Sequence, residues 1–175
     1  MVSRQRVYDK CADEKQKIDM NTLKTLLYMG FMHGLFTFFL PYQIASLDIL
    51  FIQFGPFRFL ALPFWVAGLT IIILCSIDII RKGYGTPAHL DPPKTLIVTR
   101  LYRYVRNPIY LGALAFVLGY IFWFGSQLLI LYLIFFFLCF HFLIVFIEEP
   151  ILRNKFGMEY EEYCRNVPRW IPRIQ

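Results

Sequence analysis

The chain has 175 residues, of which 58% are hydrophobic and 19% aromatic, a composition too apolar for an ordinary soluble domain of this size. Its net charge of +6 comes from basic residues in three segments beside apolar runs, where anionic lipid headgroups account for them. Nucleic-acid binding is therefore not expected. The four cysteines show no metal-ligand spacing, so we expect neither a metal site nor a disulfide.

Residues 1–22 are polar and lack the apolar core of a signal peptide, so we expect them to remain as a tail or an interfacial helix. Four apolar runs follow, each long enough or nearly long enough to cross a bilayer. They cover residues 26–45, 59–80, 109–124 and 128–147. The sequence predicts an all-α integral membrane protein with about four transmembrane helices, in a single domain over residues 23–175.

Basic residues mark one side of the predicted bundle. Of the 18 Lys and Arg residues, six precede the first run, six lie between the second and third, and five follow the fourth. Only Arg58 falls on the other side. This asymmetry predicts a multi-pass protein with both termini and the long middle loop in the cytosol, in the cytoplasmic membrane if the source is prokaryotic.

Two polar residues lie within the apolar runs. His33, in the first run, is interpreted as a hydrogen-bonded packing residue more readily than as a ligand. Asp78, near the end of the second run, is followed by Arg81 and Lys82 at helical spacing. One or the other of these cations is expected to neutralise its carboxylate.

A basic segment, RYVRNPIY at residues 103–110, precedes the third run. Pro108 suits the first turn of a helix, so we expect that helix to begin near Asn107 with its free amides on the basic side. These amides and Arg106 form a site for a carboxylate or a phosphate. The alternative is an interfacial anchor, in which arginines and tyrosines only hold the helix end among the headgroups.

An acidic pair ends the fourth run. Glu148 and Glu149 lie at a depth where an unpaired carboxylate is costly, which favours a functional or a paired role. Pro150 is predicted to end the helix and start another, and His141 lies seven residues before Glu148 on the same predicted face. The alternative is a network of glutamates and arginines that clamps the two helices.

Only Gly125, Ser126 and Gln127 join the third and fourth runs, which predicts a tight helical hairpin. The hairpin brings the basic and acidic segments to the same membrane face. A ligand with one anionic and one cationic end, such as an amino acid headgroup, would satisfy both. Aromatic rings nearby can pack against a heterocycle or a sulfonium ion. The candidate tyrosines are Tyr84, Tyr102, Tyr110, Tyr160 and Tyr163.

Apolar and aromatic residues recur at helical spacing after the fourth run, with Gly157 as an interruption. They are Leu152, Phe156, Tyr160 and Tyr163. The pattern predicts a C-terminal amphipathic helix at the cytosolic interface. This helix either acts as a lid or simply lies on the membrane. Arg169, beyond this helix, is expected to close the pocket or to hold the carboxylate of the ligand.

The order of these motifs resembles the isoprenylcysteine carboxyl methyltransferase family. The motifs are GYGTP at 83–87, DPPKTL at 91–96, YRYVRNPIY at 102–110, EEPIL at 148–152 and VPRW at 167–170. Members of that family are integral membrane enzymes that use S-adenosylmethionine, and the phospholipid methyltransferases are similar to them. The resemblance covers residues 83–172, which it identifies as the cofactor-binding part.

The resemblance also implies which residues contact the cofactor. They are Gly83, Gly85, Lys94, Thr95, Leu96, Ile97, Tyr102, Asn107, Pro108, Ile109, Tyr110, Glu148 and Glu149. The charge argument adds Arg106 and Arg169 to this set.

Three positions depart from the family pattern. Many relatives have His where this chain has Asn107, which excludes a role that needs an imidazole there. Arg100 stands where a Gly is usual, so the backbone path of this loop is expected to differ. Ile144 replaces the arginine that binds prenylcysteine substrates, so a prenylcysteine carboxylate is not the expected acceptor.

The leading hypothesis is therefore methyl transfer from S-adenosylmethionine to a lipid-like or hydrophobic acceptor, on oxygen, nitrogen or sulfur. Because the donor methyl group is already activated, the protein mainly aligns the reactants and excludes water. His141 and Glu149 are the candidate general bases, and Arg106 completes the catalytic set. The alternatives are an NADPH-dependent sterol or enone reductase and a non-catalytic membrane scaffold.

Overall fold

A computed structural model describes residues 20, 22–24, 26–48, 52–83 and 95–172. Within these ranges the regular secondary structure is helical and no strand occurs. The helices are α1 Thr22–Leu47, α2 Gly55–Arg81, α3 Pro108–Phe124, α4 Gln127–Phe156 and α5 Met158–Asn166. Of the N-terminal tail predicted over residues 1–22, residues 1–19 and 21 lie outside the described part.

Three helices are long and apolar enough to cross a membrane. These are α1, α2 and α4, with 26, 27 and 30 residues. The remaining apolar helix, α3, has 17 residues and begins at Pro108, directly after Asn107, as the sequence predicts. Each predicted apolar run falls within one of these helices. The protein is an all-α membrane protein, and that prediction is confirmed.

The turn between α3 and α4 is closed by contacts with the segment that follows α1. Gly125 adopts φ 68°, a left-handed conformation that glycine favours, and its carbonyl accepts a hydrogen bond of 2.7 Å from the Ile52 N–H. Asp48 Oδ2 accepts hydrogen bonds from the Ser126 hydroxyl at 2.6 Å and the Leu128 N–H at 3.0 Å. These bonds hold α3 and α4 antiparallel, so the start of α3 and the end of α4 lie at the opposite end of the bundle.

Helices α2 and α3 approach each other through glycines. A Cβ atom at Gly68 would lie 2.6 Å from the Gly112 carbonyl oxygen and 2.9 Å from the Phe116 nitrogen, both backbone atoms of α3. Small residues allow this close approach in membrane proteins, where packing replaces the hydrophobic effect as the force between helices. The α2–α3 pair therefore positions the segment that precedes α3.

Three of the described helices contain π-helical turns, over His33–Phe39 in α1, at the end of α2 over Ile79–Gly83, and over Ile144–Glu148 in α4. The prediction that Pro150 ends the fourth helix is wrong, since α4 continues without a break to Phe156. In an α-helix, the ring of a proline clashes with the carbonyl of the preceding turn. The wider π turn before Pro150 avoids this clash. Glu148 and Glu149 therefore lie inside a continuous helix, and α4 ends only at Gly157.

The glycine contact between α2 and α3 can be tested with a matched pair of substitutions. Gly68→Ala places a methyl group against the backbone of α3, and we expect it to lower the free energy of unfolding by about 1–3 kcal/mol. Gly30→Ala is the control, because a Cβ there meets nothing within 4 Å. Circular dichroism during SDS titration of the detergent-solubilised protein measures both. Equal stability of the two variants would contradict the close packing.

Candidate functional site

A cavity opens where α3 begins and α4 ends, lined by α1, α5, the loop over residues 95–107 and the near ends of α2, α3 and α4. Eight of the predicted site residues line it. They are Leu96, Ile97, Tyr102, Arg106, Asn107, Ile109, Tyr110 and Glu148. The hairpin therefore brings the basic and acidic segments together around one space.

Glu148 supplies the carboxylate of the cavity wall. The side chain is buried, and its Oε1 accepts a 2.5 Å hydrogen bond from the Tyr110 hydroxyl of α3. The Tyr110 ring packs against Phe140, with ring centroids 4.4 Å apart, so the hydroxyl is held by an aromatic contact on α4. This arrangement places one negative charge beside an aromatic surface.

Glu149, the adjacent residue, makes a different set of contacts. Its carboxylate accepts two hydrogen bonds from Arg169, at 2.6 Å from Nε and 3.1 Å from Nη2, and a third at 3.1 Å from Arg106 Nη1. Arg153 Nη2 lies 3.6 Å away. These bonds raise the pKa of the Arg169 guanidinium above its ordinary value. We call Glu149, Arg106 and Arg169 the Glu149 clamp, and it corresponds to the structural alternative that the sequence left open.

The clamp fixes the C-terminal segment over the start of α3. Besides its bond to Glu149, Arg106 donates its backbone N–H to the Pro168 carbonyl at 2.9 Å, and its Nη1 lies 2.8 Å from Cys164 Sγ. The Asn107 amide donates to the Arg169 carbonyl at 3.3 Å. Arg106 Nε, by contrast, is buried and has no hydrogen-bond partner among the described residues. Arg106 thus holds the segment through Nη1, and the residue as a whole also lines the cavity.

Three tyrosines, Tyr102 of the loop and Tyr160 and Tyr163 of α5, form an aromatic wall of the cavity. The Tyr163 hydroxyl donates a 2.6 Å hydrogen bond to the Tyr102 carbonyl, and the Tyr160 and Tyr163 ring centroids lie 6.1 Å apart. Burial raises the pKa of Tyr102, Tyr160 and Tyr163 above the ordinary value of a phenol. The three phenols are therefore neutral and serve as apolar surface with hydroxyl donors.

Other predicted site residues lie away from this cavity. His141 Nδ1 accepts a 3.2 Å hydrogen bond from Trp170 Nε1 and does not line the cavity. Thr95 is exposed, Pro108 is buried in the first turn of α3, and Gly83 ends the π-helical segment Ile79–Gly83. Gly85, Lys94 and Tyr84 lie outside the described residues. In the described ranges, no group of three or more His, Cys, Asp or Glu side chains could hold a metal ion.

Helix α1 contributes cavity residues that the sequence did not assign to the site, although His33 was considered as a ligand. They are Tyr28, Met29, Met32, His33 and Thr37. His33 and Thr37 are both buried, and His33 Nδ1 lies 3.2 Å from Thr37 Oγ1. The sequence signal for this wall was the presence of two polar residues, His33 and Thr37, four positions apart in an otherwise apolar run.

The loop before α3 contains one strained residue. Arg100 adopts φ 52°, a left-handed conformation that glycine takes readily and a side chain does not. Its Nη1 lies 3.7 Å from Oδ1 of the buried Asp78, so the loop before α3 supplies a partner of this carboxylate. The arginine that replaces the usual glycine is thus held in a glycine-like conformation.

Comparison with protein families agrees with this geometry. The family model for phospholipid methyltransferases matches residues 59–159, more than half of the chain. The chain belongs to the phospholipid methyltransferase family. The resemblance deduced from the motifs is therefore confirmed, and membership implies a methyltransferase that acts on lipid-like substrates. A comparison with curated proteins gives no match.

The matched region of this phospholipid methyltransferase family member includes the loop, α3 and the Glu148–Glu149 pair. It does not include α1, nor Tyr160, Tyr163 and Arg169 of the C-terminal segment. The cavity therefore combines walls that the family model covers with walls that lie beyond it.

The clamp predicts that Glu149 contributes more to stability than Glu161 does. Glu149→Gln leaves Arg106 and Arg169 without a neutralising charge, and we expect it to lower the free energy of unfolding by about 3 kcal/mol. Glu161→Gln is the matched control, since Glu161 forms only a half-exposed ion pair with Arg153 at 3.6 Å. Such a pair contributes about 1 kcal/mol or less. SDS titration compares the variants, and an equal effect of both would rule out the clamp.

A second pair of substitutions isolates the strain at Arg100. Arg100→Ala and Arg100→Gly both remove the ion pair with Asp78, so their difference reports the backbone conformation alone. We expect the glycine variant to be more stable by about 1 kcal/mol, because a left-handed conformation costs a side-chain residue roughly that amount. Thermal unfolding in detergent measures the difference. A more stable alanine variant would show that position 100 does not hold this conformation in solution.

Proposed function

We propose that this protein transfers a methyl group from S-adenosylmethionine to a lipid-like or hydrophobic acceptor at the membrane. The observation that carries the proposal is the cavity, where the Glu148 carboxylate and the Arg106 guanidinium lie beside an aromatic wall. Family membership supports the reaction class. The charge pattern supports a cytosolic location for both termini and for this end of the bundle, within a single domain over residues 23–175.

The residues of the cavity fit the chemistry of this donor. Glu148 suits its amino group, and the positive charge of Arg106, together with the free amides of the first turn of α3, suits its carboxylate. The rings of Tyr102, Tyr160 and Tyr163 offer a surface for the adenine.

When bound, the donor supplies a methyl carbon already activated by its sulfonium. The protein then has to hold and orient the reactants and exclude water. Tyr110 orients Glu148, and the Glu149 clamp keeps the C-terminal segment closed over the start of α3. Because Glu149 and Arg169 bind each other and His141 binds Trp170, we assign these three residues to positioning and not to proton transfer.

Donor binding is tested by titration calorimetry of the detergent-solubilised protein with S-adenosylhomocysteine. Glu148→Gln keeps an acceptor for Tyr110 but removes the charge, and we expect the Kd to rise about tenfold to a hundredfold. Glu162→Gln makes the same chemical change at an exposed position of α5 outside the cavity and should leave the Kd unchanged.

Equal affinity of the Glu148 and Glu162 variants would place the donor elsewhere. No binding of S-adenosylhomocysteine by the folded wild-type protein would favour the scaffold alternative. Heat released with NADPH instead would favour the reductase.

A further inference from the structure

Helix α1 forms one wall of the cavity, through Tyr28, Met29, Met32, His33 and Thr37. The family match begins at residue 59, so this wall is outside the region that assigns the reaction class. Met32 contributes apolar surface there, and Phe136 and Phe140 of α4 do so from the opposite side. This part of the cavity therefore suits a hydrocarbon group, with the His33 and Thr37 pair as its polar centre.

The His33 ring has one nitrogen available to a molecule in the cavity. Its Nδ1 is engaged with Thr37 Oγ1 at 3.2 Å, and this is the hydrogen bond that the described residues provide to the ring. His33 lines the cavity, and its Nε2 is not one of the sealed nitrogens that lack a hydrogen-bond partner among the described residues. With a proton on Nδ1 shared with the threonine, Nε2 carries the lone pair of a neutral imidazole.

The backbone around this pair is irregular and is stabilised from α4. His33 and Thr37 both lie in the π-helical segment His33–Phe39. The Tyr132 hydroxyl of α4 donates a 2.6 Å hydrogen bond to the Phe36 carbonyl, and the rings of Phe36 and Phe136 stack with centroids 6.4 Å apart. Single π-helical turns are uncommon and occur often at functional sites, where they redirect side chains. Here the turn places an imidazole and a hydroxyl at the same cavity as Glu148.

We propose that His33 and Thr37 bind the nucleophilic hydroxyl or amine of the methyl acceptor, and that His33 Nε2 accepts its proton. This inference rests on the proposed methyl transfer and adds to it the acceptor's position, its chemical class and the base. The acceptor is a hydrophobic molecule whose reactive oxygen or nitrogen carries a proton. Its hydrocarbon part lies against Met32, Phe136 and Phe140.

The step balances without a further reactant. The acceptor oxygen or nitrogen forms a bond to the methyl carbon while the carbon–sulfur bond breaks, and that bonding pair stays on the sulfur as the thioether forms. The proton of the acceptor passes to His33 Nε2, and the resulting imidazolium releases it to water after the products leave. Thr37 accepts from the Nδ1 proton throughout and keeps the ring oriented.

The test uses the full-length protein in vesicles made from total lipids of the source organism, with methyl-labelled S-adenosylmethionine. We expect wild type to label the extracted lipid, and His33→Gln to do so about a hundredfold more slowly. Thr37→Val should have a smaller effect, because it removes only the hydrogen bond that orients the His33 ring. Phe31→Leu is the control on α1, since Phe31 is exposed and does not line the cavity. Its rate should match wild type.

Two further measurements separate a base from a structural residue. S-adenosylhomocysteine should bind His33→Gln with the wild-type Kd, and added imidazole should restore part of the activity of His33→Ala. A wild-type rate in His33→Gln would overturn this inference while leaving the proposed methyl transfer intact. The inference would also be overturned if His33→Gln lost donor binding in parallel, or if imidazole restored no activity to His33→Ala. If wild type itself labelled no lipid, the proposed function would fail and this inference with it.

Discussion

The carboxylate of Glu149 joins two arginines that reach it from segments more than sixty residues apart, one before α3 and one after α5. Both partners are partly or largely buried, so each charge needs the others to offset its loss of hydration. Removal of the C-terminal segment would leave Arg106 and Glu149 incompletely neutralised. The closed position of that segment, and with it the tyrosine wall of the cavity, therefore depends on this ion-pair network.

The same network explains how two adjacent glutamates take different roles. Neighbouring residues on a helix point about 100° apart, so only one of the pair can face the cavity. Glu149 points to the arginines of the clamp, while Glu148 points to Tyr110 and the cavity. Arg106 bonds to Glu149 through Nη1 and also lines the cavity, so its charge faces both the C-terminal segment and the cavity. The carboxylate of the clamp and the carboxylate at the cavity thus belong to adjacent residues, and each has its own partners.

The cavity combines charged and apolar lining residues, which suits a reaction at a membrane. Arg106 and Glu148 are its charged residues, and Met32, Phe136 and Phe140 are among its apolar ones. The proposed methyl donor is polar and the proposed acceptor is lipid-like, so the two kinds of lining residue suit the two reactants. Of the three histidines in the sequence, His33 lines this cavity and His141 is hydrogen-bonded to Trp170. The residue type alone therefore did not show which histidine lines the cavity.

Hydropathy and one short connection were sufficient to predict the helical membrane fold, the hairpin at Gly125–Gln127 and the meeting of Arg106, Asn107 and Tyr110 with Glu148. Such features are local, because an apolar run must satisfy its backbone internally in lipid and a three-residue turn leaves two helices only one arrangement. Contacts between distant segments decided the rest. The π turn carried α4 past Pro150 and set which glutamate meets the clamp, Asp78 paired with a strained Arg100, and the fold of α1 against α4 made His33 part of the site. A sequence records which groups are present, but their partners depend on packing between segments that no local pattern encodes.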